Sequence, residues 1–252
     1  MIEPAEIQAV ELATAAAVGV QRSLQIGDWL LSMDKGAIRR AESVAALSHD
    51  IPLDEDELTA IEAAYREVGM TPTFRLAEVD GLADVREVLL RRGYVATEPT
   101  LLMVGQPVGL RALSVVPCDL AERPDAGWLA GFTGEGFDPA DGAVRAAALA
   151  RCPSAMFGSV REGGQVTAVG AVALAHGWAS INGMRTVRSF RGRGLAGRVL
   201  AGLAVAAEAR GLQQICLQVA EPNVTARSLY ERADFKTAWR YSYLSWPAAA
   251  GA

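Results

Sequence analysis

Residues 155–187 constrain the fold more than any other stretch. Ala155–Arg161 and Gln165–His176 are runs of β-branched and small apolar residues joined by Glu162-Gly163-Gly164, which has the composition of a tight hairpin turn. Trp178–Val187 follows as a third strand after the turn at Gly177. A short arginine-rich loop leads into Leu195–Arg210, where Leu195, Val199, Leu203 and Ala206 keep helical spacing and Gly211 supplies the stop. Ile215–Val219 reads as a short buried strand. Asn223–Arg232 reads as a helix with Asn223 at its N-cap, and Thr237–Trp246 as a final aromatic strand. This alternation predicts an α+β protein with a mixed central sheet flanked by helices.

The first hundred residues carry a faint copy of that plan. Gly27–Val44 has the strand-turn-strand pattern of Gly170–Val187, and Leu53–Val68 is helical like Leu195–Arg210. Thr73–Ala77 matches the short strand, and Leu90-Arg91-Arg92-Gly93-Tyr94 resembles Glu231-Arg232-Ala233-Asp234-Phe235. The order is kept at an offset of about 142 residues. Two similar halves are therefore expected, with the boundary near Gly105-Gln106-Pro107 after a strand at Thr100–Val104: residues 1–106 and 107–252.

Composition narrows the class. The 252 residues are 51% hydrophobic and 21% charged, which excludes disorder, and the net charge of −5 argues against a whole-protein nucleic-acid binder. Cys118, Cys152 and Cys216 lie far apart and the chain has only His49 and His176, so neither a disulfide framework nor a clustered metal site is expected. The longest apolar run, Val166–Ala175, is far shorter than the roughly 20 residues that span a bilayer. No secretion signal is visible, so a cytoplasmic setting without membrane attachment is expected.

Chemistry concentrates in Val187-Arg188-Ser189-Phe190-Arg191-Gly192-Arg193-Gly194-Leu195-Ala196-Gly197. A glycine-rich loop opening a helix exposes backbone N–H groups and the positive end of the helix dipole, a natural seat for a diphosphate. Arg185, Arg188, Arg191, Arg193 and Arg198 add positive charge. Gly192-x-Gly194-x-x-Gly197 formally satisfies a dinucleotide fingerprint, with Glu221 at a strand end where a ribose-binding acid would be wanted. Against a nicotinamide oxidoreductase, Arg188–Arg191 separate strand from turn, the preceding strands read as antiparallel, and too little chain follows Glu221 for a second mononucleotide half.

Arg191-x-x-Gly194-x-Ala196 resembles the Arg/Gln-x-x-Gly-x-Gly/Ala acyl-CoA signature of the GNAT superfamily of N-acetyltransferases. Leu217-x-Val219 followed by Asn223-x-x-Ala226-x-x-Leu229-Tyr230-Glu231 is similar to that family's later strand and helix. The resemblance covers about Val108 to Trp246. Two departures are visible: Asp234 stands where a glycine usually precedes the aromatic, and no motif fixes a carboxylate as base.

The resemblance implies an acetyl-CoA-dependent N-acetyltransferase acting by direct transfer in a ternary complex on a small-molecule or peptide amine, as monomer or homodimer and without metal. Main-chain amides of Arg191, Gly192, Arg193, Gly194, Leu195 and Ala196 would hold the diphosphate, with Arg188 and Arg193 reaching phosphates. Met184, Thr186 and Val187 would pair with the pantetheine, Asn223 would bind its arm, and Tyr230 would protonate the departing thiolate. Candidates for the base are Glu221, Glu135 and His176. Gly183 suggests a bulge that splays the central strands. In the first half, Leu47–Glu57 has no Arg-x-x-Gly and places four acids at the helix start, so that half is expected not to bind CoA. Trp29, Trp128 and Trp178 fit core positions better than pocket walls. The rival from another class is a non-catalytic acyl-CoA-binding or regulatory protein.

Overall fold

A computed structural model describes residues 3–134 and 138–247. The first half contains α1 (Pro4–Ala17), β1 (Ser23–Ile26), β2 (Trp29–Ser32), β3 (Val44–Ala46), α2 (Glu55–Glu67), β4 (Thr73–Ala77), α3 (Ala83–Arg91) and β5 (Val95–Gly105). After α4 (Pro107–Arg111), β6 (Asp119–Ala121), α5 (Ala126–Phe132) and α6 (Pro139–Ala150) come β7 (Ala155–Glu162), β8 (Gln165–Ala175) and β9 (Trp178–Thr186). The chain then forms α7 (Leu195–Ala209), β10 (Ile215–Ala220), α8 (Val224–Arg232) and β11 (Lys236–Ser245).

The eleven strands form one sheet in the order β1-β2-β3-β4-β11-β5-β10-β9-β8-β7-β6. Apart from the edge strand β6, this order reads the same from either end once β1 to β5 are matched with β7 to β11. In each half two antiparallel pairings lead to one parallel pairing, β3 with β4 and β9 with β10. At the centre the final strands cross over. β5 pairs with β10 of the second half, and β11 pairs with β4 of the first. The sheet is therefore continuous across residue 106.

Local chemistry explains most elements. Gly163 and Gly164 have φ of 57° and 82°, and His176 and Gly177 have 51° and 78°, so both hairpins turn on two left-handed residues. Asp54 caps α2 by accepting from Glu57 N at 2.7 Å. β5 begins earlier than the sequence suggests. Glu98, at φ 53°, and Pro99 sit beside a register shift against β11, so the missing proline N–H falls where the ladder is already broken.

The first half departs from the expected plan at Gly27–Val44. Gly27 lies in the β1–β2 turn, and β2 and β3 are separated by a loop with a 3-10 turn at Arg39–Glu42 rather than by a tight hairpin. Asp34 stabilises this loop, accepting from Gln21 N at 2.9 Å and Arg22 N at 3.1 Å and pairing with Arg151 at 3.2 Å.

Alternation along β8 assigns the two faces of the second half. Ala168 and Val172 pack with α7, whereas Val169, Ala171 and Ala173 pack with α5, α6 and the end of α1. No helix among the described residues is long and apolar enough to cross a membrane.

Candidate active site

The sheet opens between β9 and β10. They pair only at Ala179–Ile181 with Ile215–Leu217; beyond that, Asn182–Thr186 and Gln218–Ala220 diverge. The cause is the bulge expected at Gly183. The β8–β9 register shifts so that Gly183 and Met184 together oppose Gly170. Gly183 adopts φ +63°, and a Cβ there would lie 3.0 Å from both Phe132 and Leu149. A cleft of about 950 Å³ fills the opening.

One end of the cleft is the arginine-glycine loop. Gly192 and Gly194 have φ of 77° and 75°, and a Cβ on either would meet no atom within 4 Å. Gly194 is the N-cap of α7 and offers no side chain to it. The first N–H groups of a fifteen-residue helix thus face open space through a loop without obstructing side chains, an arrangement that fits a diphosphate.

Met184, Thr186, Arg191, Gly192, Gly194, Leu195, Ala196, Asn223 and Tyr230 line the cleft together. Val187, Arg188 and Arg193 are not brought into that lining. Val187 is buried and donates its N–H to Thr167 O, and Arg193 pairs with Glu162 at 2.8 Å. Arg191 is held by a bond from Nε to Thr186 O at 3.2 Å.

Tyr230 is only 7% exposed, and burial pushes its phenol up to about 12. Its carbonyl accepts the N–H of Phe235 at 3.1 Å, closing α8. Asp234 takes φ +61°, so the departure from glycine leaves this turn in place, and its carboxylate pairs with Lys236 at 2.8 Å. Asn223 Oδ1 caps α8 by accepting from Ala226 N at 3.2 Å. Its amide N–H groups remain available to the cleft.

The expectation that Glu221 serves as base needs correction. Its carboxylate accepts from Arg240 Nε at 3.0 Å, Arg240 also binds Glu78, and Glu221 does not line the cleft. His176 belongs to the β8–β9 turn, at the end of β9 away from the splay. Glu135 lies outside the described residues.

Residues 4–244 match the family described as "Probable histone acetyltransferase Rv0428c C-terminal". The chain belongs to this acetyltransferase family, within the GNAT superfamily. It is 25% identical over 246 residues to the Bacillus subtilis "Uncharacterized N-acetyltransferase YobR", covering 94% of this chain and 98% of that protein. A GCN5-related N-acetyltransferase from Kribbella flavida shares the fold with TM-score 0.70 at 18% identity, over 96% of each chain. A tandem GNAT protein from the clavulanic acid biosynthesis pathway does so with TM-score 0.61 at 12% identity, over 99% of this chain and 95% of that one.

In this GNAT protein the two halves differ at the places that matter. The N-terminus of α2 is filled by the Asp54 carboxylate and followed by Glu55, Asp56 and Glu57, whereas the matching end of α7 is bare. Trp29, Trp128 and Trp178 are all buried, and none lines the GNAT cleft.

Sequence reading missed the opposite end of the cleft. Arg40 of the first half reaches the splay, donating to Asn182 Oδ1 at 2.8 Å and to Gln218 Oε1. Arg145 and Phe132 come from the helices over the same face. Only the three-dimensional crossing of the halves brings Arg40 here, and no motif signals it. Arg232 was findable: Thr225, Ser228 and Arg232 recur at helical spacing on α8, and all line the cleft.

Proposed function

We propose that the protein transfers the acetyl group of acetyl-CoA to a primary amine by direct attack within a ternary complex, and that only the second half binds the coenzyme. The observation that carries this reading is the bare α7 N-terminus at one end of a cleft whose wall contains Tyr230. Of the loop residues 191–196 that line the cleft, Gly192, Gly194, Leu195 and Ala196 hold the diphosphate through their main-chain N–H groups. β9 beyond Ile181 has no ladder partner on the β10 side, so its backbone groups are free to pair with the pantetheine amides. A backbone N–H beside the Gly183 bulge polarises the thioester oxygen.

The acceptor nitrogen forms a bond to the carbonyl carbon, the carbon–sulfur bond breaks, and the Tyr230 hydroxyl gives its proton to the sulfur. Against a solvated thiol near pKa 8.5, a phenol near 12 makes this transfer about 5 kcal/mol uphill. The sulfur departs inside the same desolvated cleft, however, and burial raises its proton affinity as it raises that of Tyr230. The acceptor enters as free base and releases its proton to water, and the Tyr230 phenolate left behind takes a proton back from solvent.

The test combines thiol release across an amine panel with thermal shift. Acetyl-CoA should raise Tm and NADH should not. Stabilisation by nicotinamide nucleotides alone, or binding of acetyl-CoA without thiol release for any amine, would reject the acetyltransferase reading.

A further inference from the structure

The face of the sheet opposite α7 carries a cation on the wall of the cleft. Arg40 projects from the 3-10 turn of the first half to the mouth of the β9–β10 splay, where one guanidinium nitrogen donates to Asn182 Oδ1 at 2.8 Å and another to Gln218 Oε1. Both partners are neutral amides fixed by further bonds. Gln218 Nε2 donates to Thr14 Oγ1 of α1 at 3.0 Å, and Asn182 Nδ2 donates to Ser180 O at 3.1 Å. The guanidinium is therefore positioned by both diverging strands, yet none of its contacts neutralises its charge.

Among the described residues no carboxylate lies within ion-pair distance of Arg40. Glu11, one turn before Thr14 on α1, is already bound by the buried Arg75. Arg145, also on the cleft wall, is paired with Asp141 at 2.7 Å. A half-buried guanidinium with spare N–H donors and no counter-ion, open to a cleft, has the chemistry of a carboxylate receptor.

Building on the acetyltransferase reading, we propose that Arg40 binds an anionic group of the acceptor, so that the substrates are amines bearing a carboxylate rather than polyamines or lysine-rich peptides. The same charge has a second consequence: a cation near the entering amine favours its neutral, nucleophilic form. It also repels acceptors with additional ammonium groups.

The test uses the full chain with three length-matched acceptor series: ω-amino carboxylates from glycine to 6-aminohexanoate, their amides, and the corresponding diamines. Thiol release gives kcat and KM, and calorimetric titration of the CoA-saturated protein gives affinity without turnover. Carboxylates should be preferred over both other series. Arg40→Gln should cut kcat/KM for carboxylates by about 10- to 100-fold, mainly through KM, while changing the amides little. Arg40→Lys should recover part of that loss, because it keeps the charge but not the planar fork. The proposal is overturned if diamines or amides are preferred, if Arg40→Gln weakens all series equally, or if carboxylates give no binding heat to the CoA-loaded protein. Failure of the underlying acetyltransferase reading has a separate signature: acetyl-CoA neither shifts Tm nor yields thiol.

Discussion

Leu89 occupies in the first half the position that Tyr230 occupies in the second. Leu89 O accepts the N–H of Tyr94 and Tyr230 O that of Phe235, each at 3.1 Å, so α3 and α8 end in the same hydrogen-bonded turn. Leu89 is fully buried and has no proton to give, whereas Tyr230 lines the cleft. The halves share a frame, but the phenol and the bare helix start occur together only once.

Tyr230→Phe keeps the buried ring and removes the acid. We expect kcat to fall by about 100-fold, within the range for a lost general acid, with acetyl-CoA affinity preserved. Steady-state thiol release and a coenzyme thermal shift measure the two effects; an unchanged kcat would remove Tyr230 from the mechanism.

The pH profile should be one-sided. Tyr230 must be protonated to act, and burial moves its loss of the proton from about 10 up to about 12, so the acid stays competent across the working range. Rate should rise with pH as the acceptor amine deprotonates and then level off. A decline centred near pH 10 that disappears in Tyr230→Phe would contradict the buried phenol.

Gly194→Ala should weaken acetyl-CoA binding by more than its effect on folding. Its φ of +75° makes the substitution costly by about 1–2 kcal/mol, and the added Cβ would project into the open space in front of α7. Gly163→Ala, at φ +57° in the β7–β8 turn with equally open surroundings, is the control. Both variants should lose similar stability in urea, but only Gly194→Ala should raise the coenzyme Kd.

Asp54→Ala removes the α2 cap and should lower stability by about 1 kcal/mol without altering the acetyl-CoA KM. Chemical denaturation and kinetics separate these effects, and a changed KM would mean that the first half touches the coenzyme.

The three cysteines are free and buried, and burial pushes the Cys118 and Cys216 thiols up to about 11. The native protein should therefore leave a disulfide-exchange reagent at pH 8 unreacted, with three equivalents appearing in denaturant. That gives thiol-release assays a low background; rapid reaction of the native chain would refute the burial of these side chains.

Much of the second half was legible because its signals are local. Gly163-Gly164 and Gly177 mark turns that only left-handed residues can make, Asn223 caps the helix it precedes, and Gly183 bulges where a Cβ would strike Phe132. The first half was harder to read, since Asp34 builds its loop from bonds to residues far along the chain. Glu221 misled because a strand-end acid looks the same in sequence whether or not an arginine such as Arg240 holds it. Arg40 was invisible for the converse reason: its partners, Asn182 and Gln218, are more than a hundred residues away.

The crossing of β5 and β11 dictates the order in which a nascent chain can mature. β4 receives its second neighbour only from Lys236–Ser245, and β5 receives its two from Ile215–Ala220 and Lys236–Ser245, all far further along the chain than the strands they cover. The edges of β4 and β5 stay open until those later strands have been made. The early product therefore waits with open strand edges, the stage at which chaperone capture or mispairing between neighbouring polysomal chains competes with folding.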